Sequence, residues 1–437
     1  MTDHIINFLT MVLAFGFALG VIIIIHEAGH LLVAKAFGVR VLTFSIGFGK
    51  KIWGFQRGET EYRVSAVPLG GYVRLGGENL DESTGDPRDF LSKPRWQRVL
   101  VYLAGPTMNV LLAIGLFAAL FMVGIKVPNL PDMPPLVGGV EAGSSAEHAG
   151  LLRGDLIVAA NGKAMQSWHD VLLELITSPE RPVPLKVARG EKVFTTSVTP
   201  SRIPQEDSGD SAGIYPSLRP QITQVVAGGP AQKAGFRAGD EIRRINGVPV
   251  ADHKDFVGFI EKHIGVPVAV EVIRDGVTQV LTVVPRDEHG VGKIDVEIGF
   301  FQRYGPRRAL IESVRYNVQI IADTFHILGK IFNRQISAKS AFAGPLEIAR
   351  QSGEAAKRGF KDLLGLMGFI SISIAFMNLL PIPILDGGQI FILLIEEVIR
   401  RDLSLRLKEV ISQVGLVMIL LLMGVVLYFD VVKAATR

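Results

Sequence analysis

Four stretches of this 437-residue chain are too apolar and too long to be the core of ordinary soluble domains. Residues 5–25 run 21 positions without a charge, 99–125 run 27, 363–385 run 23 and 410–429 run 20. A helix needs about 20 such residues to cross ~30 Å of hydrocarbon. The chain therefore reads as a polytopic membrane protein with four transmembrane α-helices. A cleaved leader does not explain the first run, because residues 1–4 hold no Lys or Arg and the apolar core is too long for one.

Charge beside the spans gives an orientation. Residues 35–98 hold 11 Lys/Arg, and the short loop between the last two spans holds Arg400, Arg401, Arg406 and Lys408. The positive-inside rule makes both loops cytoplasmic. Both termini and the long segment after the second span are then expected outside. A net charge of +4 is too small and too scattered for nucleic-acid binding. With no cysteine in the chain, disulfides and thiolate metal sites are excluded, so any metal must be held by His, Asp or Glu.

The long outer segment repeats itself. Residues 143–162 and 228–247 align at an offset of 85 with nine of twenty positions identical, including Asp155/Asp240 and Asn161/Asn246. A unit of that size is too long for a solenoid repeat and reads as a small domain present twice, over 127–215 and 216–300. The shared pattern, A-G-(x)3-G-D-x-I-(x)3-N-G, resembles PDZ domains of α+β architecture. That resemblance implies capture of an extended peptide, such as a free C-terminus, by strand addition at a sheet edge. The other reading is a rigid cap with an idle groove. Residues 301–362 follow as an amphipathic helical segment broken at Gly344-Pro345.

The first cytoplasmic loop, 35–98, is rich in β-branched and aromatic residues between turn signals, among them Gly47-Phe48-Gly49 and Gly70-Gly71. It reads as β-hairpins, apolar enough at Phe44, Phe48, Trp53 and Phe55 to lie in the membrane interface.

The chemistry gathers at the end of the first span, over 1–34. His26-Glu27-Ala28-Gly29-His30 continues directly from four isoleucines. On a helix, positions 26 and 30 share one face a turn apart, so both imidazoles can reach one metal, while Glu27 is offset toward a water on that metal. An ionisable cluster inside a span marks function by default. Two imidazoles leave a catalytic zinc site one protein ligand short. The best candidate for the third is Asp386, which follows 23 apolar residues of the third span (363–394) as His26 follows 21 of the first. Glu396 and Glu397 are weaker alternatives.

His-Glu-x-x-His in span one, Gly-Phe-Gly in a β-rich loop, Gly105-Pro106-x-x-Asn109 in span two, twin PDZ-like units and Asn378-x-x-Pro-x-Pro-x-Leu-Asp386-Gly together resemble the site-2 protease family, nearest to its sigma-E-regulating bacterial branch. The likeness covers nearly the whole chain. It implies Zn2+ held by His26, His30 and Asp386, with Glu27 as catalytic base. It further implies cleavage of single-span membrane proteins, notably a trimmed anti-sigma factor and also leftover signal peptides. Asn378, Asn109 and the Gly47-Phe48-Gly49 loop would help hold the substrate strand. Two other classes compete. A membrane scaffold around a structural metal would make Glu27→Gln silent, and a transporter would show inverted repeats among its spans, which these four do not.

Overall fold

The computed structural model describes residues 2–78, 85–124, 133–201, 212–216, 220–250, 253–274, 276–299, 303–333, 335 and 344–435. The expected start of the first repeat at 127, and the end of the second at 300, lie outside them. In chain order the helices are α1 (Thr2–Ala36), α2 (Arg95–Val123), α3 (Ser145–His148), α4 (Trp168–Ile176), α5 (Pro230–Lys233), α6 (His253–Lys262), α7 (Pro306–Phe332), α8 (Pro345–Arg358), α9 (Phe360–Asn378), α10 (Asp386–Ile399) and α11 (Leu405–Ala435). The chain divides into two compact units, one of residues 1–122, 305–326 and 338–437, the other of 123–304 and 327–337.

In the first unit, four helical segments among the described residues are long and apolar enough to cross a membrane: Ile5–Ala36, Arg95–Val123, Phe360–Asn378 and Arg406–Tyr428. α1 carries the His-Glu-x-x-His run within its body and ends in a glycine cap. Gly38 adopts φ +67°, and Val39 N–H and Gly38 N–H donate back to the Ala34 and Lys35 carbonyls. Small residues bring the spans close. A side chain at Gly29 would strike the Ala104 carbonyl of α2, and one at Gly368 of α9 would meet the Phe117 ring at 2.9 Å. Asp430 of α11, itself buried, accepts from the backbone N–H groups of Gly344, Leu346 and Glu347, capping α8.

The third span, expected over 363–394 with the Pro381/Pro383 pair opening the helix, is two helices. α9 stops at Asn378 and α10 starts at Asp386. Pro381 and Pro383 offer no N–H to a helix, so the chain closes short turns instead, Ile382 N–H to the Leu380 carbonyl and Leu385 N–H to that of Ile382. Gly387 and Gly388 make this possible, because a Cβ at either would fall on the backbone of residues 379–383.

Two long strands, β1 (Val41–Arg57) and β2 (Thr60–Leu75), form one folded ribbon. Thr43, Phe44 and Ser45 pair with Arg74, Val73 and Tyr72 on one side, and with Glu61, Tyr62 and Arg63 on the other. Gly47 and Gly49, at φ +89° and +84°, take the bend. The ribbon packs through Val41, Phe44 and Leu75 onto Leu31 and Ala34 of α1 and Val101 of α2.

The second unit holds two copies of one scaffold. The first comprises β3 (Val137–Val140), β4 (Leu156–Ala160), β5 (Lys163–Ala164), β6 (Val183–Arg189), β7 (Lys192–Val198) and β8 (Ile214–Pro216). The second comprises β9 (Gln221–Val225), β10 (Glu241–Ile245), β11 (Val248–Pro249), β12 (Val268–Arg274), β13 (Val277–Val283), a small hairpin of β14 (Arg286–Glu288) and β15 (Val291–Lys293), and β16 (Val296–Gly299). From β4 to β7 each element recurs in β10 to β13 at the same offset of 85, with α6 likewise following α4. The Asn-Gly turns adopt left-handed φ at both residues, Asn161 +49° and Gly162 +77°, Asn246 +48° and Gly247 +80°, as a two-residue hairpin requires. Each copy has its own apolar core, around Ile157, Val187 and Trp168 in the first and Ile242, Val272 and Phe256 in the second. Each ends in a strand with one partner among the described residues, β8 on β3 and β16 on β9.

Candidate active site

Three of the residues singled out by sequence meet in the first unit. Ligand atoms of His26, His30 and Asp386 all lie within 4.8 Å of one another. His26 Nε2 is 3.2 Å from Asp386 Oδ2, His30 Nε2 is 3.6 Å from Asp386 Oδ1, and the two Nε2 atoms are 3.2 Å apart. The histidines arrive one turn apart on α1. Asp386 arrives as the first residue of α10, aimed by the break that ends α9. Glu396 and Glu397 are elsewhere, with Glu396 on Lys408 and Glu397 on Arg95.

α2 orients both rings through positions 101, 105 and 109, one helical stripe four residues apart. His30 Nδ1–H donates to the Val101 carbonyl at 2.8 Å, which leaves Nε2 as a lone pair pointing inward. Gly105 lies against both rings, and a Cβ there would sit 2.6 Å from His26 Nε2 and closer still to His30 Nε2. Asn109, with no exposed surface, places its amide 3.1 Å from His26 Nδ1. Ser371 of α9 donates to the Asn109 carbonyl at 2.8 Å and ties this stripe to the next span.

This donor set fits a cation. Two imidazole nitrogens and two carboxylate oxygens face one another, the donor types that a zinc site uses. Asn109 supplies a second test. As drawn, its Nδ2 faces the ring and its Oδ1 is buried without a partner. Turning the amide over, as the hydrogen-bond network favours, lets Oδ1 accept from His26 Nδ1–H. That arrangement partners Oδ1 and leaves Nε2 as a second inward lone pair, the usual state of a metal-bound histidine.

Glu27 stands beside the three rather than among them. A Cβ on Gly71 of β2 would be 3.2 Å from Glu27 Cγ, and the Val73 backbone also faces its carboxylate. Sequence reasoning chose Gly47-Phe48-Gly49 in this ribbon, but the part beside Glu27 is residues 71–73. The Gly-Phe-Gly bend supports it from behind, with the Phe48 ring stacked on Tyr72 at 6.1 Å. The Gly70-Gly71 pair was the available signal, since paired glycines in a strand mark close approach. Asn378 closes α9 half-buried, and its amide has no hydrogen-bond partner among the described residues.

Comparison with known proteins gives the family. The chain matches Peptidase family M50 over residues 14–422. It is 31% identical over 443 residues to the regulator of sigma E protease of Salmonella typhi, covering 95% of this chain and 97% of that one. It is likewise 31% identical to the regulator of sigma-E protease RseP of Escherichia coli K12, covering 97% and 99%. A Vibrio cholerae protein bearing a zinc-metalloprotease name is 32% identical over 98% of this chain and 99% of its own. Among solved structures, the PDZ domain of an SdrC-like protein from Listeria monocytogenes aligns with 18% of this chain and 86% of its own, at 20% identity and a TM-score of 0.17. With the family matched from residue 14 to residue 422, the chain belongs to peptidase family M50, the site-2 proteases, and is a membrane zinc metalloprotease.

Proposed function

We propose that this protease cleaves the transmembrane segments of single-span membrane proteins within the bilayer. An anti-sigma factor already trimmed outside the membrane is its main substrate, and leftover signal peptides are a second class. The supporting observation is the convergence of His26, His30 and Asp386 beside apolar spans, with Glu27 next to them and a strand running past it.

In this reading His26, His30 and Asp386 hold the zinc. When bound, zinc supplies Lewis-acid activation, lowering the pKa of water toward ~7 and polarising a carbonyl. Glu27 accepts the proton of the attacking water and returns it to the departing amine nitrogen. Asn109, buried against His26, is assigned to holding that ring rather than to touching substrate. A scissile bond in a helix is shielded by its own hydrogen bonds, so the substrate must unwind, and its freed backbone groups need partners. Residues 71–75 pair on one side only, with 41–46, among the described residues, and the Asn378 amide is unengaged. An extended substrate strand fits that edge. The exposed Ile52, Trp53 and Phe55 support placing the far end of the ribbon in the membrane interface. Glu27→Gln should keep a full complement of zinc and abolish cleavage of a membrane-spanning reporter. An active Gln variant overturns the reading.

The two repeats are assigned as periplasmic PDZ domains that select substrates, and the active site is assigned to the cytoplasmic end of its spans by loop charge. The edge strands β8 and β16 offer places for a peptide C-terminus to add. Deleting residues 135–290 should leave cleavage of a trimmed substrate intact and permit cleavage of an untrimmed one. Loss of both activities, with zinc retained, removes the filter role.

A further inference from the structure

Away from the catalytic cluster, the first unit contains a cavity of about 850 Å³ between the start of α2 and the end of α10. Its polar wall carries Lys93, Arg95 and Arg98 against Glu397 and Asp402. Arg95 takes both carboxylates, Nη1 to Glu397 at 3.0 Å and Nη2 to Asp402 at 2.9 Å. Arg98 is left over. It is 7% exposed, yet its guanidinium makes no hydrogen bond or ion pair with any described residue, and its Nε is buried without a partner. The Asp402 charge reaches it only through space.

A buried guanidinium without a counter-ion is strongly unfavourable. Something anionic belongs in this cavity, and the wall says what kind. Three cations minus two carboxylates leave a net charge of +1, which suits a single negative charge better than two. The other wall is apolar and faces outward, with Trp96, Leu100 and Leu394 at 58%, 40% and 53% exposure. The apolar span of α2 begins at Arg95, so the cavity lies where hydrocarbon meets headgroups.

We propose that this cavity binds one anionic phospholipid. The phosphodiester oxygens take the Arg98 fork, Lys93 adds a second charge, and an acyl chain covers Leu100 and Leu394. A free phosphate would satisfy Arg98 but would leave the apolar wall bare and bring a second charge toward Glu397 and Asp402.

The test uses the full chain in neutral detergent, incubated with phosphatidylglycerol or phosphatidylcholine and read by native mass spectrometry. One phosphatidylglycerol should be retained in preference to phosphatidylcholine, and inorganic phosphate should not displace it. Arg98→Gln should weaken retention ~tenfold, the loss expected for one charge-assisted pair. Arg98→Lys should fall between, keeping charge without the fork. Zinc content reports that these variants are folded, and Leu394→Asp gives an independent loss from the apolar wall. Equal retention in Arg98→Gln and wild type, no preference for the anionic lipid, or displacement by phosphate alone would each overturn the proposal.

Discussion

Asp155 and Asp240, fully buried in the repeats, and Asp386, half-buried in the membrane unit, are carboxylates in different company. Asp155 accepts from Arg189 Nε and Nη2 at 2.7 and 2.8 Å, and Asp240 accepts from Arg274 through the same atoms at 2.7 Å each. In both copies the arginine follows 34 residues later and also reaches a glycine carbonyl of its own repeat. These charges are answered locally, twice, in the same way. Asp386 instead faces two imidazoles that come from more than 350 residues away, as Asp386 − His30 gives 356, and the inward-facing atoms have only one another. Buried polar groups that find partners within one element set hold a scaffold together. Polar groups gathered from distant segments with their ligand atoms turned toward one another mark a candidate ligand site.

The sharpest way to break this contrast is to fill the space between α2 and the rings. Gly105→Ala puts a methyl group within 3 Å of both Nε2 atoms, so zinc should be lost from the purified protein along with cleavage. Retention of full zinc would show that α2 does not shape the site. Asn109→Leu is milder. It should weaken zinc binding by ~10–100-fold in a chelator competition, the usual cost of losing a partner to a metal-bound histidine, with KM unchanged. A raised KM at unchanged zinc affinity would return Asn109 to the substrate-holding role that the family resemblance implies.

The smallest effect on the zinc site should lie in the repeats, at a position where the copies differ within their shared scaffold. Glu174 of the first corresponds at offset 85 to Phe259 of the second. Phe259 stacks on His263 with ring centroids 4.0 Å apart. Glu174 is buried and accepts from Lys330 at 2.8 Å and Asn161 at 2.7 Å. Burial alone would raise the Glu174 carboxyl, but Lys330 and Asn161 hold it below the ordinary glutamate range. Lys330 is itself lowered, by burial first. Lys330→Met should therefore destabilise this unit by ~3 kcal/mol, leaving a buried carboxylate short of a donor, while zinc content stays unchanged. Adding Glu174→Phe should recover much of the loss, since it imitates the second copy. A carboxyl with a depressed native pKa stabilises above its unfolded value and loses that contribution as pH falls. Wild-type melting should therefore drop on acidification below pH ~4.3, and the double variant should drop less.

Local and periodic features were readable without coordinates. Run length gave the four spans, because hydrocarbon thickness fixes how many apolar residues a helix must string together. His26, Glu27 and His30 were readable because they lie within one helical turn. The repeat was readable at Asn-Gly and Gly-Asp, where backbone geometry restricts the residue type. Its extension to Arg189 and Arg274 was not, since an arginine in a strand looks like any other solvated charge until its aspartate is found.

The sequence by itself thus determined the kind of chain this is and the metal-type residues of its first helix, through composition, periodicity and one-turn spacing. The tertiary structure decided everything that depends on which segments meet. It split the third span at Pro381 and Pro383 and presented Asp386 at a helix start. It brought Gly105 and Asn109 against the histidines, laid residues 71–73 beside Glu27, and left the Arg98 guanidinium without a hydrogen bond or ion pair among the described residues. The Pro381/Pro383 and Gly70-Gly71 pairs mark a break and a close approach in the sequence, but which segment each one meets has no local signal. A contact between residues tens or hundreds of positions apart is fixed by packing of whole helices, where a glycine or a carbonyl counts for the room or the lone pair it offers rather than for its place in a motif.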